Sequence, residues 1–367
     1  MLSIMVKPVS GSCNMACGYC FYRDEMANRR CSNYGVMDGE TLSALLERVF
    51  AFERQAVSLA FQGGEPTLAG LNFYKTFLEL LREKNVRRIP VFLSIQTNGY
   101  AIDDDWASFF AENGFLVGLS LDGIRETHDL YRRDLGGRGT YETVLHAARL
   151  LERAGCEFNI LTVITKEVAQ NIEAIYRDYI SKGFYYQQYI PCMDGLRQKR
   201  GSNPYSLAPE EYENFLKRLF ALYKRDMLSG RYVQIRRFDN WCAMAGGREP
   251  EECCLQGRCT PQLVVEANGD VFPCDFYALD EFRMGNIRES RIPELFSSPA
   301  SQRFFGTMRL NEKCKDCKWK ALCRGGCRRD YTATGENYYC ESISRFFEDA
   351  FADMVQIFQA WNREGIQ

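Results

Sequence analysis

The first 190 residues alternate short apolar runs with segments of helical periodicity. After Asp38, a predicted helix N-cap, apolar residues recur with the i, i+3, i+4 spacing that places them on one helix face. Each apolar run is nearly unbroken, which is typical of parallel strands buried on both faces of a sheet. The predicted strands lie at 2–8, 56–62, 89–96, 115–122, 157–165 and 183–191, and further helices lie at about 70–84, 103–113, 141–154 and 168–182.

This alternation predicts an α/β fold with two possible architectures. Six strand–helix repeats are two fewer than the eight of a closed barrel. A partial barrel is therefore one interpretation, and a doubly wound sheet is the other. In both, the carboxyl ends of the strands carry the functional residues.

The pattern changes after the predicted long helix at 209–228. The sequence that follows is rich in Cys, Gly and Arg and has little periodicity. Within it, 261–277 is predicted to form a β-hairpin, because the Asn268-Gly269 pair favours a type I′ turn between two strands. A last amphipathic helix is predicted at about 341–362. The predicted domains are 1–235 and 236–367.

Composition narrows the kinds of partner. Lys and Arg number 46 and Asp and Glu 48, which argues against nucleic acid, because phosphate binding needs a basic excess. No apolar run approaches the roughly 20 residues of a membrane span, and the first residues lack a signal-peptide layout, so we expect a cytoplasmic protein without a membrane partner. In that reducing compartment, 16 cysteines indicate metal or redox ligands. The only histidines are His128 and His146, which excludes a multi-histidine metal site.

Three cysteines follow the first predicted strand with the spacing Cys13-x3-Cys17-x2-Cys20. Three thiolates can hold three irons of a [4Fe–4S] cluster, which leaves the fourth iron open to another ligand. A zinc loop with a distant fourth ligand is the alternative. Polar segments end the next three strands, on the edge where such a fold presents its ligands. These segments are GGEP at 63–66, QTNG at 96–99 and SLDG at 120–123.

Together with the aromatic Phe21 after the third cysteine, these motifs resemble those of the radical SAM superfamily. The resemblance implies that S-adenosylmethionine (SAM) chelates the open iron and is cleaved to a 5′-deoxyadenosyl radical. We accordingly expect the partial (β/α)6 TIM-like barrel. The residues implied to bind SAM are Tyr19, Gly63, Gly64, Glu65, Gln96, Thr97, Asn98, Ser120 and Asp122.

The C-terminal third carries enough further cysteines for two sets of four. All-sulfur sites suit zinc or iron–sulfur clusters, and spacing alone does not decide between them. Beside the N-terminal motif, however, this region resembles the small Cys-rich SPASM domain, which implies two auxiliary [4Fe–4S] clusters. Cys254 is an alternative ligand to Cys253, and the gap before Cys340 is shorter than the family leads us to expect. The implied sets are Cys253, Cys259, Cys274 and Cys327 for one cluster, and Cys314, Cys317, Cys323 and Cys340 for the other.

Longer stretches resemble the anaerobic sulfatase-maturating enzymes, among them SCNMACGYCFY, LAFQGGEPTLAG and VFPCDFYALD. The resemblance implies oxidation of a Cys or Ser in a sulfatase C/S-x-P/A-x-R motif to Cα-formylglycine. It also implies that Asp275 is the base and that Tyr22 and Gln62 position the substrate. A carboxylate suits this role because a partly dry pocket raises its pKa.

The same resemblance implies the cofactors and partners. The cofactors are SAM and three [4Fe–4S] clusters. The partners are a sulfatase polypeptide or peptide in an unfolded state and an electron donor such as flavodoxin or ferredoxin.

Three departures from the family keep open a related reaction on a different peptide. Pro261 and Asp330 stand where we expect other residue types, and 128–144 is more similar to SPASM enzymes that modify peptides. The alternative enzyme is a SPASM maturase that forms a thioether or a crosslink in a ribosomally made peptide. A further alternative is that the protein is not an enzyme but a zinc-binding interaction module.

Overall fold

The computed structural model describes residues 1–260, 262–306 and 310–364, so Pro261 lies outside the described residues. All six predicted strands of the first 190 residues are present. The strands are β1 (Leu2–Val6), β2 (Val57–Phe61), β3 (Val91–Thr97), β4 (Phe115–Ser120), β5 (Phe158–Ile164), β6 (Tyr186–Pro191), β7 (Gln234–Ile235), β8 (Leu263–Val265), β9 (Asp270–Phe272) and β10 (Gly285–Asn286).

The helices also follow the predicted pattern, with additional short ones after the cysteine loop, after β4 and in the Cys-rich region. The helices are α1 (Phe21–Ala27), α2 (Gly39–Phe52), α3 (Leu71–Lys84), α4 (Asp104–Glu112), α5 (Arg125–Tyr131), α6 (Tyr141–Arg153), α7 (Lys166–Gln170), α8 (Ile172–Ser181), α9 (Pro209–Leu228), α10 (Arg236–Ala245), α11 (Ile292–Ser297), α12 (Pro299–Gly306), α13 (Lys320–Cys323) and α14 (Cys340–Glu364).

Local side-chain hydrogen bonds account for several helix limits. Asp38 caps α2 as predicted, because its carboxylate accepts the Thr41 N–H at 2.7 Å. The predicted helix at 168–182 is instead two helices, α7 and α8. Asn171 caps the end of α7, and its backbone N–H and its side-chain amide both donate to the Glu167 carbonyl, at 3.1 and 2.9 Å.

One compact unit comprises Met1–Ser120, Tyr131–Phe158 and Pro261–Thr307. Its strands lie in the order β10-β9-β8-β1-β2-β3-β4. Ile4 of β1 is opposite Leu59 of β2 on one side and Leu263 of β8 on the other, both in parallel register. Because β8 and β1 end side by side, the segment after β8 reaches the carboxyl end of β1.

The predicted hairpin forms from β8 and β9, but its turn differs from the predicted type I′. That turn requires positive φ at both central residues, whereas Gly269 has φ of 85° and Asn268 is not among the residues with positive φ. The Gly269 N–H donates to the Glu266 carbonyl at 2.8 Å. The connection is therefore a longer loop in which only the glycine is left-handed.

A second compact unit comprises Leu121–Leu130, Asn159–Thr260 and Met308–Gln367. In this unit β5, β6 and β7 pair in parallel. Aromatic side chains pack its helices together, and the ring centroids of Phe220 in α9 and Phe346 in α14 lie 5.4 Å apart. The described helices include no segment with the length and hydropathy of a bilayer-crossing span. The domain division at residue 235 stays a prediction.

Candidate active site

The loop between β1 and α1 carries the three clustered cysteines. The Cys13 sulfur accepts hydrogen bonds from the Met15 backbone N–H at 3.4 Å and from Asn98 Nδ2 at 3.6 Å. Burial raises the pKa of the Cys13 thiol to about 12, and charge on Cys17 and Cys20 acts in the same direction. Cys17 and Cys20 therefore lie close enough to Cys13 for a negative charge on either sulfur to act on its thiol.

Backbone hydrogen bonds hold one side of this loop. The N–H groups of Ala16 and Gly18 donate to the carbonyls of Arg133 and Tyr131 at 2.8 and 2.9 Å. The bonded carbonyls belong to 128–144, the stretch in which the sequence departs from the family. That stretch therefore supports the cysteine loop in this unit.

The GGEP turn holds the other side of the loop. The Glu65 N–H donates to the Ser12 carbonyl at 2.8 Å. Gly64 has φ of 53°, and a Cβ at this position would lie 2.1 Å from the Ser12 carbonyl oxygen. Only glycine permits this approach, which explains the second glycine of the motif in terms of packing.

The Glu65 side chain is fully buried and ties the GGEP turn to the end of β3. Its Oε1 accepts hydrogen bonds from the Thr67 and Thr97 hydroxyls, each at 2.7 Å, and its Oε2 accepts the Asn98 N–H at 2.7 Å. These bonds set the position of Asn98, which in turn contacts Cys13. Direct contact of Glu65, Thr97 or Asn98 with SAM stays a prediction.

The other residues implied to bind SAM are also held by neighbours. Gln96 Nε2 donates to the Ser120 hydroxyl at 3.0 Å, and Arg132 donates to the Tyr19 hydroxyl at 3.1 Å. Asp122 belongs to the second unit, where its carboxylate accepts a backbone N–H of β5 at 2.9 Å. Their contact with SAM likewise stays a prediction.

The structure brings the implied base together with both implied positioning residues. Asp275 follows β9 in a short 3-10 turn and is only 5% exposed. Its Oδ2 accepts hydrogen bonds from the Tyr22 hydroxyl at 2.7 Å and from Gln62 Nε2 at 3.2 Å. Its Oδ1 is buried and accepts no hydrogen bond from the residues that the structure describes. Burial raises the pKa of Asp275, while the Lys7 ammonium and the Tyr22 hydroxyl act to lower it.

Sequence reasoning missed the charged groups around Asp275, which we call the buried charge cluster. Lys7 Nζ lies 2.8 Å from Glu25 Oε2, 3.0 Å from Glu266 Oε1 and 3.9 Å from Asp275 Oδ1. Arg29 also pairs with Glu266. The sequence does carry one signal for this cluster. A single charged residue follows each of two buried strands, Lys7 after β1 and Glu266 after β8. The buried charge cluster is Lys7, Glu25, Arg29, Glu266 and Asp275.

Charge pairing decides the ionisation inside this cluster. Burial alone would lower the pKa of Lys7, but the carboxylates of Glu266, Glu25 and Asp275 raise it above its ordinary value. Burial raises the pKa of Glu25 to about 7, because Lys7 offsets only part of the desolvation. For Glu266 the two cations outweigh burial and lower the pKa. Lys7 and Arg29 are therefore cations, and Glu266 is their firmly ionised partner.

In the second unit, four C-terminal cysteines lie together. Burial raises the pKa of Cys323 to about 11, and Cys340, Cys314 and Cys317 add to the rise. Cys340 in turn is affected by Cys314 and Cys317. Cys340, whose spacing differs from expectation, is thus beside the three cysteines with which it was grouped.

Cys253 and Cys254 are alternative candidates for one ligand position, and their surroundings differ. Charge on Cys253 raises the pKa of Cys259, after the larger effect of burial. Cys254 instead donates to Glu252 at 3.3 Å. Cys253 is therefore the one of the two that lies near Cys259.

The donor sets fit iron–sulfur clusters. Charge on neighbouring thiols adds to the raised pKa of Cys13, Cys259, Cys323 and Cys340, and cationic iron would remove this repulsion by binding the sulfurs as thiolates. In a [4Fe–4S] cluster each thiolate binds a different iron, so its cysteines need not converge on a single position.

Comparisons with known proteins identify the family. The cysteine-type anaerobic sulfatase-maturating enzyme of Clostridium novyi (strain NT) is 43% identical over 362 residues, which cover 97% of each chain. This chain belongs to the anaerobic sulfatase-maturating enzymes. The serine-type sulfatase-maturating enzyme of Klebsiella aerogenes is 32% identical and covers 96% of this chain and 85% of its own.

Family models and a solved structure agree with this membership. The radical SAM superfamily model matches residues 8–179, and the SPASM model, an iron–sulfur cluster-binding domain, matches residues 253–318. Native anSMEcpe with bound AdoMet and Cp18Cys peptide has a TM-score of 0.93 and 42% identity, covering 98% of this chain and 99% of that chain.

This membership confirms the predicted fold class, enzyme class and cofactors. The chain is an α/β radical SAM protein with a parallel sheet, followed by a SPASM domain. Its enzyme class is that of radical SAM oxidoreductases that generate formylglycine. SAM and iron–sulfur clusters are the cofactors of these two domains.

Proposed function

We propose that this enzyme oxidises a cysteine in a sulfatase C-x-P-x-R segment to Cα-formylglycine, with Asp275 as the base. The observation that carries the proposal is the Asp275 carboxylate, whose Oδ2 is held by Tyr22 and Gln62 while Oδ1 accepts no hydrogen bond from the described residues. The preference for Cys over Ser is supported by the higher identity to a cysteine-type enzyme, 43% against 32% for a serine-type one.

The role of Asp275 follows from its geometry. When bound, SAM and the clusters supply the radical that removes the Cβ hydrogen atom and the acceptor for the remaining electron. Asp275 Oδ1 takes the thiol proton, because Oδ2 is already engaged by two donors. Loss of a hydrogen atom, a proton and an electron leaves a thioaldehyde on the substrate. Water then converts it to the aldehyde and releases hydrogen sulfide.

The proposed cofactor ligands are the three sets of cysteines that the family resemblance implies. Cys13, Cys17 and Cys20 hold the cluster that binds SAM, and the contacts of Cys254 with Glu252 favour Cys253 as the auxiliary ligand. The residues proposed to surround SAM, or to orient the groups that surround it, are Tyr19, Gly63, Gly64, Glu65, Gln96, Thr97, Asn98, Ser120 and Asp122. The proposed auxiliary sets are Cys253, Cys259, Cys274 and Cys327, and Cys314, Cys317, Cys323 and Cys340.

The remaining partners follow from the chemistry. The substrate is a sulfatase polypeptide in an unfolded state, because a folded sulfatase would not offer its motif to a buried carboxylate. A one-electron carrier such as flavodoxin or ferredoxin supplies the electron that cleaves SAM. The cytoplasm provides both such carriers and reduced thiols.

Three matched peptides test this function. They carry Cys, Ser or Ala at the first position of the same C-x-P-x-R segment and are incubated anaerobically with reconstituted enzyme, SAM and a reductant. We expect the Cys peptide to gain a hydrazide-reactive aldehyde and to release hydrogen sulfide, the Ser peptide to react more slowly, and the Ala peptide to remain unchanged. A crosslinked or thioether product from the Cys peptide, without aldehyde, would contradict the proposal.

A further inference from the structure

Lys7, which belongs to none of the recognised motifs, lies at the centre of the buried charge cluster. Its side chain is 0% exposed, and its ammonium contacts the carboxylates of Glu25 and Glu266 and faces that of Asp275. A buried ammonium is costly unless it is paired and hydrogen-bonded. Glu25 and Glu266 already satisfy this need at 2.8 and 3.0 Å.

Asp275, the proposed base, is therefore a third carboxylate, in addition to the two that pair with the Lys7 ammonium. With every group ionised, two cations, Lys7 and Arg29, oppose the three carboxylates of Glu25, Glu266 and Asp275, for a net charge of −1. Arg29 pairs with Glu266 and not with the base. Lys7 is thus the cation in the cluster that faces Asp275, 3.9 Å from Oδ1.

The Lys7 side chain is fixed along its length. Its backbone N–H donates to the Val265 carbonyl at 2.8 Å, which anchors it to β8. A Cβ on Gly63 would lie 2.8 Å from Lys7 Cγ and 2.9 Å from Cε, so the first glycine of the GGEP turn makes room for the lysine stem. Glu25, which holds the ammonium, also accepts the Ala278 N–H at 2.8 Å. Ala278 follows Asp275 by three residues, so the same carboxylate joins Lys7 to the segment that carries the base.

From this geometry we infer that Lys7, held by Glu25 and Glu266, is a positioning residue that orients the Asp275 carboxylate for removal of the substrate proton. The inference rests on the proposed function. Tyr22 and Gln62 fix Oδ2, and the Lys7 charge fixes the direction of Oδ1. Lys7 acts through Asp275 and does not itself exchange the proton.

A double-mutant cycle with the full reconstituted enzyme tests the inference. The variants are Lys7→Met, Lys7→Arg, Asp275→Asn and the double variant Lys7→Met/Asp275→Asn, with the exposed Lys75→Met on α3 as the matched control. Formylglycine and 5′-deoxyadenosine are measured together for a C-x-P-x-R peptide. Lys7→Met should lower the rate of formylglycine formation about 10²-fold, the size typical of a misplaced reactive group. It should keep 5′-deoxyadenosine formation and the peptide KM, and Lys7→Arg should recover part of the rate.

The double variant separates positioning from a general structural role. If Lys7 acts through Asp275, then Lys7→Met/Asp275→Asn should be no slower than Asp275→Asn alone, because residues that act as one unit are not additive. Multiplied effects would show that Lys7 acts independently and would overturn the inference. If the unaltered enzyme forms no formylglycine from any C-x-P-x-R peptide, the proposed function itself is wrong.

A second variant covers the case in which Lys7→Met does not fold. Lys7→Met/Glu25→Gln removes one cation and one carboxylate, so the cluster keeps its net charge of −1 and gains no uncompensated charge. We expect this variant to keep its iron and still to make 5′-deoxyadenosine without matching formylglycine. Loss of iron from this variant as well would mean that Lys7 only supports the fold, and the inference would be wrong.

Discussion

At the scale of single residues, the Asp275 carboxylate is the group on which the proposed chemistry depends. We predict that Asp275→Asn keeps all clusters and still forms 5′-deoxyadenosine, because the proposed site of SAM cleavage is the cysteine loop with the GGEP turn, not Asp275. Formylglycine formation should fall by roughly 10²–10⁴-fold, the range typical for loss of a positioned base. Asparagine is nearly isosteric but cannot take the proton, so the two products should become uncoupled.

Iron analysis and product quantification check this prediction. Asp105→Asn, on the exposed side of α4, is the matched control and should behave as the unaltered enzyme. If Asp275→Asn instead loses iron, the aspartate only supports its neighbour Cys274. Near-normal formylglycine formation would show that another group takes the proton.

Residue types and motifs predicted only part of this site. The family resemblance pointed to Asp275, Tyr22 and Gln62, which the structure brings within hydrogen-bond distance. Lys7 and Glu25 were not predicted, because a charged residue beside an apolar strand is usually exposed. Their burial depends on partners more than 200 residues away, such as Glu266, and sequence periodicity carries no information on such contacts.

At the scale of secondary-structure elements, the GGEP turn connects the cysteine loop to the end of β3. Gly64→Ala would place a Cβ 2.1 Å from the Ser12 carbonyl oxygen, so the turn or the loop must move. We predict a marked loss of SAM affinity and of SAM cleavage, measured by equilibrium dialysis and 5′-deoxyadenosine formation. The matched control is Gly114→Ala, which has a similarly positive φ of 64° but no atom within 4 Å of the added Cβ. Equal losses in both variants would mean that backbone strain, and not the close approach, is responsible.

Elements with strong local signals were predicted well, and long-range pairing was not. The six parallel strands and the cap at Asp38 followed from apolar runs and a local hydrogen bond. The parallel pairing of β8 with β1 joins Leu263 to Ile4 across most of the chain. No local pattern encodes that register, although it carries Asp275 to its place. The helix α10 was also missed, although Phe238, Trp241 and Cys242 recur at i, i+3 and i+4, because the Cys-, Gly- and Arg-rich composition around it favours irregular structure.

At the scale of the whole molecule, we expect the stability of the second unit to depend on its clustered thiols as well as on its apolar packing. Cys314, Cys317 and Cys323 lie within ten residues of one another, and Cys340 begins α14. Charge on the neighbouring thiols adds to the raised pKa of Cys323 and Cys340. Binding of iron converts this repulsion into attraction, and metal binding of this kind is coupled to folding. The cluster should therefore contribute to the stability of the unit as well as to electron transfer.

This coupling gives the last prediction. Three [4Fe–4S] clusters correspond to about twelve irons in the reconstituted enzyme, and Cys314→Ala should leave about eight. Because the remaining three thiols then lack part of their counter-charge, this variant should also give less soluble protein and a lower melting temperature. Cys31→Ala is the matched control, since Cys31 is exposed and belongs to neither set. Iron analysis and thermal unfolding under anaerobic conditions check both changes. A Cys314→Ala protein with eight irons but unchanged yield and melting temperature would show that the unit folds without this cluster, and its cysteines would then serve electron transfer alone.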